Sequence, residues 1–147
     1  MSDSEQRKSN SVTANHNDTS LERRIPASSE YFVANKSVPE QPIKRLEGLA
    51  ENTAGRLAVK PLITGKDAGL LEFRRAKGLR DPEHSHPDHE SICYLVSGRV
   101  RVVIAGQEFI AEPGDAWIHP AGVLHYHETL EDSVQIEIKA PATRTWE

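Results

Sequence analysis

From residue 56 onward no stretch of this chain keeps a helical period. Its apolar residues come in short runs, alternating with polar ones and divided by turn residues. "RLAVKPLIT" (56–64) alternates, "GKDAG" turns, and "LLEFRRA" (70–76) follows; the loop "KGLRDPE" then leads to "SICYLVSG" (91–98). Gly98 opens into "RVRVVIAGQEFIAEPGD", where "AG" before "QEF" reads as a hairpin turn. "AWIHPAGVLHYHE" is broken by Pro-Ala-Gly, and "EDSVQIEIKAP" (131–141) alternates strictly. Period-two alternation puts successive side chains on opposite faces of a strand. Many short strands at regular spacing predict a small all-β antiparallel barrel of the jelly-roll type.

Composition divides the rest. Residues 1–28 are Ser, Asn, Asp, Thr and charge, too polar to offset ordering entropy, so a disordered tail is expected. Residues 29–53, with Pro39 and Pro42, read as an N-terminal arm whose Tyr31, Phe32, Val33, Ile43, Leu46 and Leu49 pack on the barrel. The barrel is expected over 54–147. The net charge of −4 indicates no nucleic-acid surface. Apolar runs shorter than ten residues indicate no membrane helix. The single Cys93 and a polar N-terminus lead to the expectation of a cytoplasmic protein. Cys93 has the opposite parity to Tyr94 and reads as a packed, inert thiol.

"HSHPDHES" (84–91) crowds His84, His86, His89, Asp88 and Glu90 just ahead of a strand. His84 and His86 share a face, and Glu90 returns to that side after the bend. Two imidazoles and a carboxylate make a facial metal triad with open positions, suited to Fe, Mn, Ni, Zn or Cu. Further imidazoles stand at His119, His125 and His127, whereas His16 lies in the tail. His119, beside Pro120, reads as a loop residue, and Trp146 as a cover for an apolar patch. Tyr94 and Trp117 read as core or pocket wall. Gln135, Glu137 and Lys139 alternate with Val134, Ile136 and Ile138, and parity alone leaves open which set faces inward.

These motifs resemble the cupins, small metal-binding jelly-roll barrels, over about residues 56–141. Their first motif, G-x5-H-x-H-x3-E-x6-G, is met by Gly78, His84, His86 and Glu90, with seven residues rather than six before Gly98. Their second, G-x5-P-x-G-x2-H-x3-N, is met by Gly114, Pro120, Gly122 and His125, with Thr129 at the Asn position. The resemblance implies one divalent transition metal ion on His84, His86, Glu90 and His125. The extra residue leaves three candidates for the third ligand: Glu90, preferred as a carboxylate, then His89, then Ser91 at the position counted back from Gly98.

The wording of "PEHSHPDHES", "PGDAWIHPAGVLH" and "LEDSVQIEIKAP" is similar to the pectin-degradation cupins, which linearise unsaturated uronate sugars. That likeness implies Glu137 as the catalytic acid–base group. It also implies a small-molecule ligand held by Tyr94, Trp117, His127 and Lys139, with Lys139 steadying an anion. Arg144 stands one residue beyond the arginine of that group. The alternatives are an Fe(II) dioxygenase, a polyketide-cyclase type of cupin, and a non-catalytic binding cupin. Small barrels have an edge to cover, so a homodimer using the arm is expected.

Overall fold

The computed structural model describes residues 23–45 and 56–146. Seven strands follow a short 3-10 turn at Asn35–Ser37: β1 (Gln41–Pro42), β2 (Leu57–Thr64), β3 (Gly69–Arg75), β4 (Glu90–Ile104), β5 (Gln107–Ala111), β6 (Ala116–His119) and β7 (His125–Ala140). All pairings are antiparallel, in the order β1-β2-β3-β7-β4-β5, with β6 also on β4. The result is the small antiparallel jelly-roll barrel that the alternation predicts. Among the described residues no helix is long and apolar enough to cross a membrane.

β4 and β7 form one long ribbon, from Glu90↔Ala140 to Ile104↔His125. Its register shifts between Leu95 and Val100, and there the ribbon bends. Past the bend β4 carries β5 on its free side; before it, β4 carries β6. Gly98 sits in the bend at φ +92°, and a Cβ there would lie 2.2 Å from Ser133 Oγ and 2.4 Å from the Asp132 carbonyl. No other residue type fits that backbone without displacing β7.

Two apolar clusters fill the barrel. One joins Ile43, Leu57, Val59, Leu71, Phe73, Leu79 and Trp146; the other joins Leu95, Val100, Val102 and Ala111. Trp146 packs edge-on against Phe73, with ring centroids 6.0 Å apart. Between the clusters the interior is polar, because β7 turns Ser133, Gln135, Glu137 and Lys139 inward. Register then aligns them with their neighbours: Leu71–Glu137–Cys93–Trp117 in one row, and Gly69–Lys139–Ser91–His119 in the next.

The N-terminal boundaries differ from those drawn on composition. Residues 23–28, grouped above with the tail, run along the barrel: Arg24 bridges Thr143, the Ile25 N–H donates to the Ala142 carbonyl (3.0 Å), and the Ser28 N–H donates to that of Thr64 (2.8 Å). Ile25 packs on the first cluster, an apolar contact that composition averaged away. Tyr31 and Phe32, expected to pack, are exposed, whereas Ile43 is fully buried. The remainder of the tail (1–22) and part of the arm (46–55) lie outside the described residues.

The Gly98 bend yields a direct check. Gly98→Ala is expected to destabilise the protein by roughly 2–4 kcal/mol, the scale of overpacking combined with a strained backbone. Urea unfolding followed by circular dichroism measures it, and a change under about 0.5 kcal/mol, the usual surface effect, would contradict the close packing.

Candidate metal centre

Three imidazoles meet at one end of the ribbon. The His84 N–H donates to the His125 carbonyl (3.0 Å) and the His125 N–H returns to His84 (2.8 Å), which ties the histidine loop to the start of β7. The donor nitrogens of His84, His86 and His125 lie within 4.8 Å of one another. Nδ1 of His84 lies 2.7 Å from the Pro82 carbonyl, and Nδ1 of His125 lies 3.1 Å from that of Val123. A carbonyl can only accept, so both Nδ1 atoms carry the proton and both Nε2 lone pairs are free for a ligand. Turning the second nitrogen to a carbonyl is how proteins orient metal-binding histidines.

The third ligand expected from the sequence is not brought here. Glu90 is exposed at the start of β4, on the outer face with Ile92 and Tyr94. Strand parity is the reason: Ser91, Cys93 and Leu95 point inward, so Glu90 must point out. His89 is buried instead, and its ring stacks on His86 with centroids 4.7 Å apart. Its Nδ1 donates to Asp88 (2.9 Å), which the Arg23 guanidinium holds from the other side (2.8 Å). Among the described residues His89 Nε2 is buried without a partner, and so is Ser91 Oγ. A buried lone pair with no donor is costly. Three converging imidazoles and an orphaned fourth are a donor set that fits a transition metal ion.

A second cluster lies deeper: Cys93, His119 and Glu137, all buried. The Cys93 thiol donates to Glu137 Oε1 (3.4 Å), Lys139 Nζ stands 3.5 Å from Glu137 Oε2, and His119 Nδ1 stands 3.9 Å from Oε1. His119 is therefore an interior residue of β6 rather than a loop residue, and its ring stacks on His125 at 3.8 Å. The inward parity it shares with Trp117 was the signal in the sequence. His127 Nδ1 donates to Asp81 Oδ2 (3.0 Å), whose other oxygen accepts from Arg75 (2.6 Å). Asp81 was not anticipated from sequence: an acid in a loop gives no sign that it folds into the core. The Trp117 indole N–H is shared between His119 Nε2 (3.2 Å) and His127 Nε2 (3.3 Å). Of the four residues expected to hold a ligand, Trp117, His127 and Lys139 face the interior and Tyr94 faces out.

Two ion pairs, Arg75–Asp81 and Lys139–Glu137, keep this interior near neutral. Burial pushes the Asp81 carboxyl up, but Arg75 and the hydrogen bond from His127 outweigh it and hold the group well below the usual range. Burial likewise raises Glu137, while Lys139, His127 and the Cys93 thiol lower it further, leaving an anion. Burial and the Glu137 charge push the Cys93 thiol well up. Burial lowers every shifted histidine: His86, with Lys139 adding to the effect, and His119 fall well below their usual range, and His125, with His84 beside it, falls to about 4. The cavity between these groups is about 40 Å³. This space admits an ion together with a few ligand atoms.

Comparison with known proteins agrees with this geometry. The Cupin_2 family (Cupin domain) matches residues 71–138. The pectin degradation protein KdgF of Dickeya dadantii is 36% identical over 67 residues, 45% of this chain and 61% of that protein. Among solved structures, KdgF from Halomonas sp. superposes with a TM-score of 0.65 at 24% identity, over 77% of this chain and 94% of that one. The polyketide cyclase RemF from Streptomyces resistomycificus superposes with a TM-score of 0.61 at 23% identity, over 78% and 81%. The fold and the matched residues are those of a small cupin. Within that class it resembles KdgF, although its matches span only 53–61% of the length of its curated relatives.

Neutral buried histidines fix how stability responds to acid. The unfolded chain takes up imidazole protons near pH 6.5, and folded His125 resists until about 4. Between these values the unfolded state binds more protons, so stability falls as pH falls. Asp81 and Glu137, lowered in the fold, extend the loss to lower pH. With a chelator present, the urea midpoint is expected to drop steadily from pH 7 to pH 4; a flat profile would place these imidazoles in water.

Proposed function

We propose that this cupin is a metal-dependent enzyme acting on a small acidic or hydroxylated molecule, with ring opening of an unsaturated uronate as the leading candidate. The observation that carries the reading is the inward row Gln135–Glu137–Lys139 beside the imidazole cluster. His84, His86 and His125, with His89 in the third-ligand role in place of Glu90, would hold one divalent ion. Bound there, Fe, Mn, Ni, Zn or Cu supplies Lewis acidity toward an anionic oxygen. Those ligands are all neutral, so the positive charge is left for the substrate to balance, which favours a carboxylate or an enolate.

Glu137 is a buried anion placed to accept a proton, and Lys139 on its second oxygen is the cation an acidic substrate would meet. Opening a cyclic hemiacetal breaks the ring C–O bond as the hydroxyl proton leaves, and the resulting enolate takes up a proton at carbon to give the ketone. One carboxylate that accepts and returns a proton serves both events. Trp117 and His127 wall the site, and the Asp81–Arg75 pair fixes the His127 ring. We also propose a cytoplasmic homodimer. Ile92, Tyr94 and Val96 on β4, with Ile118 and Ile138 alongside in register, form an exposed, uncharged outer face suited to a second copy.

The ligand set is tested by metal content. His86→Ala combined with His125→Ala is expected to abolish metal uptake while the barrel stays folded, and His89→Ala to lower it. Glu90→Gln is expected to leave it unchanged; loss with Glu90→Gln and none with His89→Ala would restore the carboxylate. For the reaction, metal-loaded protein is expected to speed the loss of ultraviolet absorbance of an unsaturated uronate without consuming oxygen. Glu137→Gln is expected to slow this roughly a hundredfold with metal retained. Oxygen uptake on a phenol or diketone by the iron-loaded protein would favour the dioxygenase reading instead.

A further inference from the structure

A hollow with a mostly apolar lining lies outside the metal centre, on the far side of Trp117. β5 and β6 both pair with β4 and with no other strand among the described residues, so the barrel is open between their edges. A pocket of about 550 Å³ occupies the gap, lined chiefly by Val102, Ile104, Phe109, Trp117, Ile118 and Pro120. Register puts part of this lining on the inner side of the wall: Phe109 faces the same way as its partner Val102, which is fully buried, and Trp117 faces the same way as buried Cys93, while Ile110 and Ile118, of opposite parity, belong to the outer face. Phe109 nonetheless remains 50% exposed. An inward aromatic is left half in water only where the interior is not filled.

The partition between this hollow and the site is thin. The Trp117 indole N–H is committed to His119 and His127, and His119 stacks on the candidate ligand His125. One indole and one imidazole thus separate an apolar space of ligand size from the metal residues. The two spaces differ sharply in chemistry. The cavity at the metal residues is about 40 Å³ and holds Lys139, Glu137 and the histidines. Among the described residues the outer hollow has no basic side chain in its lining, and its charged member is Asp115.

We propose that the hollow is a binding site for the apolar body, a fused ring or an alicyclic ring, of a small amphipathic ligand whose anionic head turns past Trp117 toward Lys139. The placement of the head rests on the metal-centre reading above; the apolar site itself does not. This adds a second, apolar element of recognition to the acidic head group, one that a sugar hydroxylated on every face would leave unused. A sugar would have to leave its hydroxyls unpaired against Val102, Ile104 and Phe109, and a buried unpaired polar group is penalised.

The test uses three probes: 2-naphthoate, neutral 2-naphthol, and galacturonate, which has the carboxylate but no apolar body. Calorimetry gives affinities, and the Trp117 indole N–H cross-peak in a proton–nitrogen NMR spectrum reports the wall. Expected is 2-naphthoate binding at least about tenfold more tightly than galacturonate, a difference of the size hydrophobic pockets deliver. Both naphthalene probes should move the Trp117 peak. Phe109→Asp should remove the advantage, and exposed Phe109 can be replaced without loss of fold, which unchanged circular dichroism checks. In the His86→Ala/His125→Ala variant 2-naphthol should still bind, so failure of the metal reading leaves this site standing. Equal affinities for galacturonate and 2-naphthoate, or naphthol binding indifferent to Phe109→Asp, would overturn the proposal. So would exclusion of the probes from a dimer that Phe109→Asp splits, since a second copy would then be the occupant.

Discussion

The structure turns on a charged strand facing the wrong way for an ordinary barrel. β7 sends Gln135, Glu137 and Lys139 inward where an apolar row would give a drier core. Moving an ionised group out of water is expensive, and only close opposite charge and full hydrogen bonding offset it. The two acids at the centre of the barrel have such partners: Glu137 faces Lys139, and Asp81 is gripped by Arg75 and His127. Apolar packing is pushed to either side, into the cluster around Leu71 and Phe73 and the cluster around Leu95 and Val102. A barrel that accepts this arrangement does so at a cost in stability, and the polar middle is where its chemistry is concentrated.

Much of this was legible in the residues, for reasons that differ from place to place. Alternation in "EDSVQIEIKAP" marks a strand whatever its orientation, because period two needs only the contrast between neighbours. Which face is inward depends on what the other strands present, so parity could not choose between Glu137 and Ile136. The pairing of His84 and His86 followed from shared strand-like geometry. Glu90 did not follow, because a single added residue before Gly98 reverses parity and turns the next side chain to the opposite face. Asp81 and Arg23 are illegible in principle from local pattern. One reaches His127 and the other Asp88 only once distant segments meet, across 46 and 65 residues.

Were His89 to take the ligand role proposed above in place of Glu90, more than a name would change. A carboxylate ligand would cancel part of the charge of a bound dication, and imidazole cancels none. The metal would then present its charge to whatever enters, in an interior already balanced by its own ion pairs. Arg23 and Asp88 gain a purpose in the same picture, since the carboxylate fixes which nitrogen of His89 is left free. The anionic head proposed at the histidines and the apolar body proposed beyond Trp117 would be two consequences of one division of the interior.

X-ray absorption on the metal-loaded protein tests the central claim most directly, because it counts the atoms around the ion. The account predicts a shell of nitrogen and oxygen only, with the outer-shell scattering of three or four imidazole rings, unaltered when Glu90 is replaced. A sulfur neighbour at about 2.3 Å, the distance of a metal thiolate, would contradict it and move the ion to Cys93, His119 and Glu137.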